Sequence, residues 1–139
     1  LIHLDDHWKY HKATKLPPRK NWKKWEHPYA TNFNGALKEI AKLKDEKYII
    51  IEGLHPFSNL NLRKILNFKI YYSIPNNLVV KRRLEKFGKK DHQEWYSKNI
   101  VVKAYKKYGK PMKKYANLIL RGNEDINENL KRILRYIKR

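Results

Sequence analysis

The chain has 139 residues, no cysteine, and 33 Lys and Arg against 13 Asp and Glu, for a formal net charge of +20. That length can bury a core without staples, and the lack of cysteine excludes disulfide frameworks and thiolate metal sites and fits a reducing, cytoplasmic compartment. With 41% hydrophobic residues and four tryptophans the composition is not that of a disordered chain, and no apolar run nears the roughly 20 residues that span a bilayer.

Leu1–Leu4 is a short apolar run that stops abruptly at Asp5 and Asp6. From there to about Ala30 the prolines, mixed charges and aromatics show no period, which predicts a long loop with one helical turn. Phe33, Leu37, Ile40 and Ala41 share one helical face. Tyr48-Ile49-Ile50-Ile51 is a β-branched run of the kind buried on both faces of a sheet, closed by Glu52-Gly53. A second such run extends from Phe68 to Ile74 and stops at Pro75-Asn76-Asn77. Val80, Leu84 and Phe87 follow at helical spacing. A further helix carries Val101, Tyr105 and Tyr108 and is expected to end at Gly109, with Pro111 beyond. Ala116–Leu120 is a third buried-strand candidate, and an amphipathic helix with Ile126, Leu130, Ile133, Leu134 and Ile137 closes the chain.

Apolar strands alternating with helices predict a single α/β domain over residues 1–139, with a parallel sheet covered on both faces. Ligands of such sheets bind beyond the carboxyl ends of the strands. Here those ends carry Asp5-Asp6, Glu52-Gly53, Ser73-Ile74-Pro75 shortly before Arg82-Arg83, and Arg121-Gly122-Asn123. Carboxylates and cations on one edge suit magnesium-assisted phosphoryl transfer, where positioning and charge neutralisation do most of the catalysis.

The charge itself has a plainer source. The 25 lysines and eight arginines come with 13 asparagines and 13 isoleucines, the bias of A/T-rich coding sequence, and Arg, the better reader of grooves and phosphates, is scarce. The exception is residues 81–114, where 13 basic and three acidic side chains form a candidate site for a multiply charged anion. His3, His7 and His11 are four apart, as zinc ligands on one helix face would be, but His3 lies in an apolar strand-like run and no second ligand cluster accompanies them.

The motifs, taken in order, resemble the uridine kinase, nicotinamide riboside kinase and phosphoribulokinase group of P-loop kinases. Leu4-Asp5-Asp6-His7-Trp8-Lys9 is similar to the group's Gln-Asp-(Asp/Ser)-Phe-(Tyr/Phe)-Lys, and Trp25-Glu26-His27-Pro28-Tyr29-Ala30 to its (Phe/Trp)-Asp-His-Pro-Glu-Ala. Ile49 to Leu54 resembles its Ile-(Ile/Phe)-Glu-Gly-(Ile/Leu) strand. Arg82-Arg83 followed by Gly88-Lys89-Lys90-Asp91 resembles its lid, and Lys113 to Gly122 its closing Lys-(Lys/Arg)-Tyr-Ala-Asp-(Val/Leu)-Ile-(Ile/Leu)-Pro-Arg-Gly.

The resemblance implies a three-layer parallel sheet of the P-loop nucleoside triphosphate hydrolase type, a lid at about residues 81–114, and ATP and Mg²⁺ as cofactors. It implies Asp5 as general base, Arg82, Arg83 and Lys90 as cations on the transferring phosphoryl group, and Asp6 and Glu52 as Mg²⁺ partners. It assigns Asp6, Lys9, Glu26, His27 and His55 to the substrate, and Arg121, Gly122 and Asn123 to the border of the adenine. The acceptor is expected to be a nucleoside or similar small alcohol, with no membrane and an oligomer allowed. Glu26 stands where the group has the shorter Asp, and Lys90 where it has Arg.

Two departures follow. No Gly-x-x-x-x-Gly-Lys-(Ser/Thr) occurs, since the Gly-Lys pairs continue as Gly88-Lys89-Lys90 and Gly109-Lys110-Pro111. The expectation is therefore an N-terminally truncated kinase domain, inactive by itself, whose first strand, phosphate loop and first helix lie outside these residues. The pyrimidine-reading hairpin of uridine kinases is also absent, as Lys42 to Lys47 pass straight from helix to strand. The alternative is a non-catalytic basic module, or pseudo-kinase remnant, that binds nucleic acid or another polyanion.

Overall fold

Backbone polar groups of an apolar strand must find a ladder partner before the strand can be buried, and here they find it in parallel pairs. The structure, a computed structural model, describes residues 1–10, 19–88 and 92–138. It divides into two compact units, Leu1–Ile65 and Leu66–Arg139.

In the first unit β1 (Ile2–His3) pairs in parallel with β2 (Ile51–Glu52), with Ile2 opposite Ile51 and His3 opposite Glu52. The strand expected over residues 48–51 is thus shorter and later. Ile50 gives only its carbonyl to the Ile2 N–H, at 2.8 Å, while the Tyr48 and Ile50 side chains stay exposed. The ladder can be no longer than β1, which turns after two residues into the 3-10 turn Leu4–His7.

The long loop expected before Ala30 contains the short helix α1 (Trp22–Trp25) and a 3-10 turn, Pro28–Ala30. Helix α2 (Phe33–Lys42) starts where the Asn32 side-chain carbonyl accepts the Gly35 N–H at 3.1 Å. Phe33, Leu37 and Ile40 are half-buried as their spacing predicts, and Ala36 is the fully buried residue of that helix. Helix α3 (Leu60–Ile65) has no counterpart among the expected elements; the Asn59 side-chain oxygen accepts the Leu62 N–H at 2.9 Å and starts it. Ile2, Leu4, Trp22, Ala36, Phe57 and Leu62 make up the buried apolar set of this unit together with Ala30.

In the second unit β3 (Ile70–Ser73) pairs in parallel with β4 (Leu118–Arg121), in register from Ile70 opposite Leu118 to Ser73 opposite Arg121. Leu120 is fully buried, yet Ile119 is 38% and Tyr72 49% exposed. These strands are therefore not buried on both faces as their composition suggests: Ile119 points to the face opposite Leu120, and even on the Leu120 face its register partner Tyr72 stays half-exposed. Helix α4 (Asn76–Phe87) ends at Gly88, whose φ of 78° and N–H to the Leu84 carbonyl, 2.9 Å, make the turn out of the helix.

Helix α5 (Gln93–Tyr96) opens a continuous helical run to Tyr115, in which α6 (Val102–Ala104) is flanked by π-helical turns at Ser97–Val101 and Tyr105–Gly109 and followed by the 3-10 segment Lys110–Tyr115. The helix stop expected at Gly109 is not there. Gly109 keeps helical angles, and its hydrogen is needed because a Cβ would come within 2.6 Å of the Tyr105 ring. Helix α7 (Ile126–Ile137) is capped by Asp125, which accepts the N–H groups of Asn127 and Glu128 at 2.9 and 3.1 Å. Its apolar stripe of Ile126, Leu130, Leu134 and Ile137 is exposed, and Asn129 is its buried residue. Among the described residues no helix is long and apolar enough to cross a membrane.

The exit from β2 is the tightest point of the first unit. Gly53 has a φ of 154°, and a Cβ there would lie 2.7 Å from the Leu4 Cβ. Gly53→Ala is expected to destabilise the fold by about 1–3 kcal/mol through strain and displacement of Leu4. Chemical denaturation of the two proteins measures it, and an unchanged midpoint would show that the turn can relax.

Candidate functional site

Carboxylates at a strand end face water and can meet a ligand without the cost of burial. Asp5 and Asp6 sit on the 3-10 turn directly after β1, and both are exposed. Glu52 ends β2, in register with His3, and the His3 ring nitrogen Nδ1 meets its Oε1 at 2.6 Å. The parallel register therefore brings Asp5, Asp6 and Glu52 to one edge of this sheet, as the strand-end pattern predicts.

The segments that carry the first two motifs of the first unit are stitched to each other. The Trp8 indole N–H donates to the Trp25 carbonyl at 3.3 Å, the two rings meet edge to face with centroids 4.8 Å apart, and Tyr10 stacks on Trp25 at 5.5 Å. The Lys9 N–H donates to the Ala30 carbonyl at 2.7 Å, and the Asn32 N–H to that of His7 at 2.8 Å. This lacing holds the segment bearing Asp5, Asp6 and Lys9 against the one bearing Glu26 and His27. The Lys9 side chain is exposed, and Glu26 and His27 are half-buried.

His55 joins the group from the turn after β2. It is buried, it hydrogen-bonds the main chain of Glu26, and the His27 ring lies close enough to interact electrostatically. Burial, the largest influence, outweighs the Glu26 hydrogen bond and holds its pKa below the ordinary value of 6.5. All seven site residues predicted from this half of the sequence thus lie in one connected region. His7, a motif residue with no assigned role, bonds Glu39 of α2 through Nε2 at 2.7 Å. The histidines do not share a helix face, since His3 belongs to β1; His11 lies outside the described residues.

In the second unit the Arg82 guanidinium donates to the Gly122 carbonyl at 2.9 Å, and the Gly122 N–H donates to the Ser73 carbonyl at 2.8 Å. Helix α4 is so tied to the turn after β4, which brings Arg82, Arg121, Gly122 and Asn123 together. Arg83 instead packs its guanidinium over the rings of Phe87 and Tyr96, at 5.2 and 5.7 Å, with a buried Nε that has no hydrogen-bond partner among the described residues. Lys90 lies outside the described residues.

A cavity of about 600 Å³ opens beside this turn. Arg121 and Asn123 line it, as do Tyr71, Ser73, Asn76, Tyr105, Lys110 and Lys113. Lys110 and Lys113 fall in the basic stretch 81–114 expected to hold a multiply charged anion, and none of the six was singled out by itself as a site residue. A signal existed in the alternation along β3, which puts Tyr71 and Ser73 on one face, but nothing in the spacing places Tyr105 opposite them.

Comparison with known proteins agrees with the motif order. The model of the phosphoribulokinase/uridine kinase family matches residues 10–127, and the chain belongs to that family. It is 28% identical over 105 residues to the chloroplastic phosphoribulokinase of Mesembryanthemum crystallinum, covering 73% of this chain and 26% of that protein. It is 31% identical over 93 residues to the uridine kinase of Escherichia fergusonii, covering 60% of this chain and 42% of the relative. The chain therefore spans between about a quarter and two fifths of the curated relatives it matches. The family implies a P-loop-type fold, and what is seen here is α/β with two small parallel sheets.

The depressed pKa of His55 has a consequence for stability. Unfolding frees the imidazole to take a proton near pH 6.5, so the unfolded state binds more protons than the folded one below that pH. The stabilisation is whole above about pH 6.5 and is lost as the pH falls. Thermal unfolding between about pH 8 and 5 should show a falling midpoint, with a shallower fall in His55→Gln; equal slopes would remove His55 as a contributor.

Proposed function

We propose that the chain forms part of an ATP-dependent kinase that phosphorylates the hydroxyl of a nucleoside or similar small alcohol, with residues 1–139 acting as one kinase-like domain built on the family's three-layer parallel sheet. The observation that most supports this reading is the lacing of Trp8 and Lys9 to Trp25 and Ala30, with His55 on the Glu26 main chain. It holds the two segments that carry the acceptor-side motifs of a family member against each other, in the unit that also carries Asp5.

Asp5 takes the proton of the attacking hydroxyl on a carboxylate oxygen and aims that oxygen at the phosphoryl group. Glu26 accepts hydrogen bonds from the acceptor's neighbouring hydroxyls, while Lys9, His27 and His55 border it. The low pKa of His55 keeps its imidazole neutral at pH 7, so it offers a hydrogen bond without adding charge beside the acceptor.

The exposed oxygens of Asp6 and Glu52 at one sheet edge fit Mg²⁺, which binds through one or two carboxylates together with water and phosphate oxygens. ATP brings the phosphoryl group and Mg²⁺ spreads its charge. Arg82, Arg83 and Lys90, from a lid at about residues 81–114, neutralise what charge remains, and Arg121, Gly122 and Asn123 border the adenine. Lys90 gives a point charge where Arg would give a fork.

The test is Asp5→Asn in the complete gene product, assayed with ATP against a panel of ribonucleosides. Transfer is expected to fall by about 10²–10⁴-fold while nucleotide binding is unchanged. Undiminished turnover would falsify the role of Asp5 as base.

A further inference from the structure

The cavity in the second unit has a chemistry of its own. Its cations come from a local rule of helix geometry: the 3-10 segment Lys110–Tyr115 repeats every three residues, so Lys110 and Lys113 lie one above the other on one face. Both line the cavity, and neither pairs with a carboxylate among the described residues. Arg121 adds a third cation from the end of β4. Its one carboxylate neighbour, Glu124, stands 3.8 Å away and is drawn to Arg132 at 2.9 Å.

The other walls are neutral. Tyr71 donates its hydroxyl to that of Tyr105 at 2.8 Å, joining β3 to the helical run. Burial, helped by that hydrogen bond, raises the Tyr71 pKa far above the usual tyrosine value, so the hydroxyl keeps its proton and sets no negative charge against an anion. Among the described residues no carboxylate lines the cavity. Asn76, the first residue of α4, borders it with a buried side-chain oxygen that has no donor among the described residues. A buried acceptor without a donor is costly, and a ligand hydroxyl or a protonated phosphate oxygen would relieve it.

We infer that this cavity binds a small anion of the phosphate or pyrophosphate type, held by Lys110, Lys113 and Arg121, with its O–H donating a hydrogen bond to the Asn76 side-chain oxygen. A hydrogen phosphate group matches the site in both respects, since it carries at least two charges for the cations and an O–H for the acceptor. Lys110, Lys113, Tyr71 and Tyr105 are given no individual role in the proposed phosphoryl transfer, whereas Arg121 also borders the adenine in that reading, so dependence on the two lysines is what separates this site from it. Through the Ser73–Gly122–Arg82 bonds it adjoins the turn after β4, where an occupant would stiffen that loop.

The experiment is calorimetric titration of the 139-residue chain with sodium pyrophosphate and, separately, with ADP, at about 150 mM salt so that general attraction to a basic surface is screened. One saturable site is expected, weakened about tenfold or more in Lys110→Ala/Lys113→Ala and retained in Lys113→Arg. A control of equal charge loss on α2, Lys38→Ala/Lys42→Ala, is expected to change affinity by less than about twofold. All these lysines are exposed, and circular dichroism checks that the variants fold. Pyrophosphate binding that depends on the pair identifies a free anion as the occupant, and ADP binding alone with the same dependence identifies a nucleotide's phosphates. Binding that never saturates, that ignores Lys110 and Lys113, or that falls equally in the control overturns the proposal.

Discussion

Parallel pairing fixes direction. Two strands that run the same way must present their carboxyl ends at the same edge, and everything at the sites of this protein depends on that constraint. The ladder of β1 with β2 is only two residues long, yet it puts the turn bearing Asp5 and Asp6 beside Glu52. The ladder of β3 with β4 does the same for Ser73 and Arg121, from which the start of α4 and the turn through Gly122 and Asn123 both depart. Antiparallel pairing of either set would send one motif to the far end of its sheet.

Short ladders contribute few hydrogen bonds, so each unit is reinforced by contacts between chain segments distant in sequence. In the first, an indole N–H, two backbone amides and a cluster of three aromatic rings bind residues 7–10 to residues 25–32. In the second, Arg82 reaches the Gly122 carbonyl, Arg132 reaches that of Ile119, and Asn129 that of Arg121. A chain with a net charge of +20 must place its cations where they do not repel one another. Here several are spent on carbonyl groups and aromatic faces, including Arg83 over Phe87 and Tyr96. Lys110 and Lys113, close in sequence and both facing one cavity, are not dispersed in this way.

The helical run from Gln93 to Tyr115 shows why the cavity was hidden. An α-helix, at about 100° per residue, would spread Tyr105, Lys110 and Lys113 over an arc of roughly 140°. The run alternates between α and π turns and ends in a 3-10 segment, and these changes of pitch bring Lys110 and Lys113 onto one face. Pitch of this kind is set by packing, including the close approach of Gly109 to the Tyr105 ring.

The sequence by itself determined the succession of strands and helices, with α2, α4 and α7 among them, and the motif set of the family, because each of these is written in local periodicity or in fixed spacing. Asp5-Asp6 and Glu52-Gly53 are legible as strand ends wherever the strands pair in parallel. Tertiary structure decided the rest. It shortened β2 to the length its partner allowed, turned the stripe of α7 outward, carried the helix past Gly109, set Arg83 on aromatic rings, and built a cavity from Tyr71, Tyr105, Lys110 and Lys113. Those outcomes depend on which surfaces touch, and residues as far apart as Ile2 and Ile51, 49 positions, have no spacing that a local pattern can record.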